Sequence, residues 1–187
     1  MVYFTSLRNA LFAIGLTFCI LSAPTAYSES AGELQSSARQ ALQHLYKTTP
    51  GASSLGSRAA GVLVFPEILK GGFVVAGHYG NGVLFKGDSV AGYYNTTAAS
   101  VGWQAGVEKF GYALFFMTSD DLHYLDKSDG WEISALPSLT VVDRGVAEKL
   151  SSTSSQKGIY AFFFSQAGLM GGLSLEGAKI TRIHPDK

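Results

Sequence analysis

The chain holds one cysteine, Cys19, only five prolines, and no surplus of charge, since 14 basic residues balance 14 acidic ones. A lone thiol excludes an internal disulfide framework, and Cys19 falls in a leader-like segment, so no thiol catalyst or thiolate metal site is expected. Charge balance, with 15% charged residues, gives no sequence-wide electrostatic footprint for a phosphate backbone, and no nucleic acid is expected as a partner. Catalytic signatures are also missing. No G-x-S-x-G occurs, and Ser154-Ser155-Gln156-Lys157 matches S-x-x-K without its S-D-N and K-T-G companions, in a Ser-rich turn rather than at a helix start. His44, His78, His123 and His184 are scattered with no acid or base partner nearby in sequence. Asp120, Asp121, His123, Asp126 and Asp129 cluster, but their spacing fits neither a calcium loop nor a zinc pattern, and aspartates belong at a helix start and a turn. No enzyme activity, cofactor or metal is expected.

What is present is a globular composition: 47% hydrophobic, 12% aromatic, and 22 glycines without a G-X-Y period among 187 residues, which suits one domain of short strands joined by tight turns. Residues 1–28 read as a secretory leader, with Arg8 as the only charge, an apolar run from Leu11 to Leu21 and small residues at Ala26 and Ser28. The protein is expected to be exported, with a single domain over 29–187. Lipidation of Cys19 is disfavoured by Phe18 immediately before it.

Ser30 and Glu33 form a capping-box pattern ahead of Leu34, Ala38, Ala41, Leu42 and Leu45, which predicts an amphipathic helix from Ser30 to Lys47. Ala59 to Phe65 reads as a buried strand ended by Pro66, with a turn over Glu67 to Gly72. Gly80-Asn81-Gly82 reads as a hairpin turn between two strands, and Gly87-Asp88-Ser89 as the next turn. Ser100 to Met117 is the expected central ribbon: Val101, Trp103, Ala105 and Val107 alternate with small or polar residues, then Phe110, Tyr112, Leu114 and Phe116 take the other phase, with a bulge or turn at Glu108-Lys109. Ser119 caps a short helix, and strands follow at Trp131 to Leu136, Leu139 to Asp143, Ile159 to Ser165, Leu169 to Leu175 and Ala178 to Ile183. The expected class is α+β: a coiled antiparallel β-meander, curling toward a barrel, with the N-terminal helix packed on it.

Five blocks, Ala60 to Pro66, Lys70 to Phe73, Gly80 to Leu84, Ser100 to Gly106 and Gly168 to Gly177, together resemble the SYLF domain family over about Leu34 to Ile183. The resemblance implies a non-enzymatic, lipid-binding module of the exported, stand-alone bacterial branch, placed in the periplasm or at the outer membrane. Tyr93-Tyr94 stands where eukaryotic members often carry tryptophan, and no strongly basic helix is present, so actin and phosphoinositides are not expected partners. The expected ligand is membrane lipid or another amphiphile, held by Leu34, Leu42 and Leu45 of the first helix beside Arg39 and Lys47, with Trp103 and with Lys70 and Lys86 at strand ends. The alternative is a structural or protein-binding envelope protein with no lipid ligand.

Overall fold

The computed structural model describes residues 29–72, 75–101, 106–126, 130–132, 138–150, 157–165, 168–170 and 177–185. The leader, Cys19 and Trp103 lie outside them, as do Ile133 to Leu136 and Gly171 to Leu175 of two expected strands, and Ser154 to Gln156.

Helix α1, Ala31–Thr48, begins as its capping box dictates. Ser30 Oγ accepts from the Glu33 amide at 3.3 Å, and the Glu33 carboxylate accepts from the Ser30 amide at 3.1 Å. Leu34, Ala38 and Leu45 form its buried stripe. Helix α2, Ala52–Gly56, follows a left-handed Gly51.

Four long strands make the centre: β1 Gly61–Gly72, β2 Val75–Lys86, β3 Ser89–Val101 and β4 Gly106–Phe116. Strand β2 pairs with β3 through a two-residue turn at Gly87-Asp88, where Gly87 takes φ 58°. Strand β4 then returns to the far side of β1 rather than pairing with β3, giving the order β3-β2-β1-β4.

Pro66 does not end the first strand. Phe65 faces Tyr112 and Ile68 faces Phe110, so Pro66 and Glu67 together oppose the single residue Gly111, which is a β-bulge. Pairing lapses at a bulge, so a residue without an amide proton is tolerated there. The expected ribbon from Ser100 to Met117 is not one strand, since Ser100 and Val101 end β3, and no phase change falls at Glu108-Lys109: register along β4 is continuous from Gly106 to Phe110, while it is β1 whose inward side chains switch from Leu63 and Phe65 to Ile68.

The same bulge explains Gly80-Asn81-Gly82, which is not a turn. Strand β2 runs straight through it, with Asn81 opposite Asn95, and the Asn95 amide donates to the Gly80 carbonyl and to Asn81 Oδ1, each at 3.0 Å. A Cβ at Gly82 would come within 2.7 Å of the Val64 carbonyl oxygen, one at Gly80 within 2.6 Å of the Glu67 oxygen, and one at Gly111 within 2.8 Å of the Pro66 oxygen. These three glycines make room for the bulged backbone and let the sheet coil around it.

After β4 come α3, Ser119–Leu122, capped by Thr118 rather than Ser119, and a 3-10 turn, His123–Asp126. Strand β5, Trp131–Glu132, lies at one edge. Strand β6, Leu139–Val142, helix α4, Arg144–Leu150, and strand β7, Ile159–Ser165, form a crossover unit, so β6 and β7 are a parallel pair within an otherwise antiparallel sheet. Strand β8, Gly168–Leu169, pairs with β7, and β9, Lys179–Ile183, pairs with β3. The main path is β5-β9-β3-β2-β1-β4-β7-β6. The class is thus the α+β expected from the sequence: a large, mostly antiparallel sheet that stays open, with the N-terminal helix packed on it.

Both faces of the sheet are buried at its centre, as the apolar runs Ala113 to Phe116 and Ala161 to Phe164 require. Leu63, Phe65, Ile68, Phe110, Tyr112 and Phe163 fill the inner face. There the buried Tyr112 hydroxyl donates to Thr96 Oγ1 at 2.8 Å. Burial raises the Tyr112 phenol, and the Thr96 bond only partly offsets it. Val64, Val83, Phe85, Phe115 and Phe162 fill the other face under α1, α2 and α4.

Candidate functional site

The expected lipid-binding residues do not come together in one place. Leu34 and Leu45 are wholly buried in the helix-side core and offer no surface to a ligand. Leu42 is half-buried at the wall of a cleft of about 290 Å³ between α1, α2 and the β2–β3 turn, which also includes Tyr46 and Phe85. Arg39 enters the same cleft, but its guanidinium donates to the Asp88 carbonyl at 2.6 Å and lies 4.9 Å from the Phe85 ring centroid, so it fastens α1 to the β2–β3 turn. Lys47 is exposed on the last turn of α1, where a cation suits the helix dipole.

Lys70 and Lys86 lie on the opposite face of the sheet from these leucines, so the sheet itself separates the two halves of the expected site. Lys86 borders a cleft of about 190 Å³ with Leu84, Tyr94 and Leu122, all inner-face residues. Lys70 sits 3.8 Å from the Glu108 carboxylate and is paired across strands with His78, so Glu108, Lys70 and His78 form a polar row across β4, β1 and β2.

His78 is not among the expected site residues, because its partners come from other strands. Its ring meets Phe110 edge-on at 6.4 Å, and its Nε2 is buried with no hydrogen-bond partner among the described residues. Burial, and then the Lys70 ammonium, hold the imidazole below its ordinary 6.5. A lowered folded-state value means that this stability is present above 6.5 and is lost as pH falls through the folded value. Urea midpoints of the wild type are therefore expected to fall from about pH 7.5 to 5 more steeply than those of His78→Gln. Parallel profiles would show that the imidazole is not desolvated. Glu108, 3.8 Å from Lys70, is the acidic group of this row.

The more open feature is on the helix side, where the N-terminal half of α1 passes over the β1–β2 pair just beyond the bulge. Leu69 and Tyr79 are direct cross-strand partners there and stay 44% and 55% exposed. They floor a groove of about 720 Å³ whose walls include Ala41, Glu29, Glu33 and Glu67. That volume lies within the roughly 300–1,000 Å³ usual for ligand sites. Glu67 accepts from Lys109 Nζ at 3.0 Å across the bulge. Burial first, then Glu33 and Glu67, push the Glu29 carboxyl above its usual range, so three carboxylates converge on the groove.

Sequence reasoning misses this groove because local signals place Leu69 in a turn and Tyr79 at the end of a hairpin strand. Once the bulge shifts the phase of β1, Leu69 must face the helix side, and only the limited reach of α1 leaves it uncovered. Among the described residues no three His, Cys, Asp or Glu side chains gather as a metal site, and no helix is long and apolar enough to cross a membrane. No protein-family model matches the chain, and no curated protein matches it in sequence.

Proposed function

We propose that the protein is a non-enzymatic binder of membrane lipid or another amphiphile in the bacterial cell envelope, of the SYLF kind that its sequence blocks resemble. The observation that carries this reading is the exposed Leu69–Tyr79 pair flooring the groove beside α1. A large aromatic and a leucine left side by side in water at a concave surface are the usual marks of a surface that meets apolar groups. The buried Leu34 and Leu45 hold α1 in place as one wall, and Arg39 holds its position against the β2–β3 turn.

Contacts of this size give reversible binding. Fully burying a leucine side chain contributes roughly 1.5–3 kcal/mol, and Leu69 and Tyr79 are already half covered. The purified protein is expected to co-sediment with vesicles and to carry lipid detectable by mass spectrometry. Leu69→Ser/Tyr79→Ser is expected to lose both while keeping its circular dichroism spectrum, because neither side chain belongs to a core cluster. A folded wild type that ignores neutral and anionic vesicles alike and carries no lipid would end this reading in favour of a structural or protein-binding role.

A further inference from the structure

We propose that the groove between α1 and the β1–β2 pair selects an amphiphile by its ammonium headgroup, so that the lipid it takes is zwitterionic or cationic rather than anionic. This rests on the amphiphile reading above and adds the headgroup class to it.

The groove is apolar at its floor and acidic at its walls. Leu69 and Tyr79 lie at the bottom, while Glu29 and Glu33 reach it from the start of α1 and Glu67 from the bulge of β1. Lys109 offsets Glu67 through a 3.0 Å contact, and the Glu33 carboxylate accepts from the Ser30 amide and hydroxyl. Burial first, and then the neighbouring Glu33 and Glu67, raise the Glu29 carboxyl, and a cation entering the groove would offset the part due to those two carboxylates.

An exposed aromatic face beside carboxylates is the chemistry that recognises a primary or quaternary ammonium: the ring quadrupole and the anions both attract the cation, and the ring also covers its methyl groups. Tyr79 supplies the face and Leu69 the contact for the first methylenes beyond the headgroup. An anionic headgroup would meet the carboxylates instead, while Lys70 and Lys86, which could attract it, lie across the sheet.

The experiment compares monomeric dodecyl amphiphiles that differ only in headgroup: dodecyltrimethylammonium, dodecylphosphocholine, dodecyl maltoside and dodecyl sulfate, titrated into the purified protein by calorimetry below their micelle concentrations. The two ammonium-bearing probes are expected to bind about tenfold more tightly than the maltoside at low salt, with the gap narrowing as salt screens the carboxylates. Glu29→Gln/Glu67→Gln is expected to close most of that gap. Leu69→Ser/Tyr79→Ser is expected to abolish binding of all four. Equal affinity for ammonium and maltoside probes, a preference for the sulfate, or a gap that survives the Glu29/Glu67 variant would overturn the headgroup assignment and leave the amphiphile reading standing. Absence of binding by every probe, with no lipid co-purifying, would remove both.

Discussion

Replacing Phe115 by alanine is expected to cost about 3–5 kcal/mol of folding stability, a large share of the roughly 5–15 kcal/mol available to a domain. Phe115 is wholly buried on β4, between β1 and β7, on the face covered by helices. Its ring lies 4.9 Å from that of Phe162 and meets Tyr46 of α1 edge-on at 6.3 Å. Truncation leaves a cavity lined by a neighbouring strand on one side and α1 on the other, and neither can close in without breaking its own pairing or packing. The urea midpoint should fall with little change in slope. A loss below about 1 kcal/mol would mean that α1 does not seal this layer.

Gly82→Ala should cost about 3 kcal/mol, the upper end of the usual overpacking range. The new Cβ would meet the Val64 carbonyl oxygen at 2.7 Å and the Phe65 ring at 2.6 Å, and both belong to the buried strand that carries the bulge. Backbone cannot rotate away as a flexible side-chain end can. Gly32→Ala is the matching control. Gly32 lies within α1 with nothing inside 4 Å of its added Cβ, so that change should stabilise by about 0.5–1 kcal/mol. If Gly82→Ala were tolerated within about 0.5 kcal/mol, the strand would have to be free to move off the bulge, and the tight junction of β1 and β2 would be wrong.

Local signals identify the elements whose cause is local. The Ser30–Glu33 capping box places the start of α1 because both partners of each bond lie within one turn. Gly87-Asp88 makes a hairpin turn for the same reason: two residues and a left-handed glycine suffice. The apolar run from Phe110 to Phe116 likewise marks β4 as a buried, central strand.

Glycine and proline mislead where their reason is a neighbour distant in sequence. Pro66 looks like a strand end, yet it sits in a bulge opposite Gly111, 45 residues further along the chain. Gly80-Asn81-Gly82 looks like a turn, yet its glycines yield space to carbonyl groups of β1.

The candidate site divides in the same way. Leu34, Leu42, Leu45, Arg39 and Lys47 can be recognised as one amphipathic helix, but which of them meets solvent depends on where the sheet lies. The one-residue shift at the bulge of β1 puts Lys70, and the alternation along β2 puts Lys86, across the sheet from that helix. They also leave Leu69 and Tyr79 exposed beside three carboxylates. The sequence by itself determined an α+β chain, the capped amphipathic helix and the apolar strands, because capping, periodicity and turn chemistry act over a few residues. Tertiary structure alone decided strand order, the bulge and the groove, because each depends on which distant backbone a residue faces, and a period-2 pattern inverts its faces with a single inserted residue.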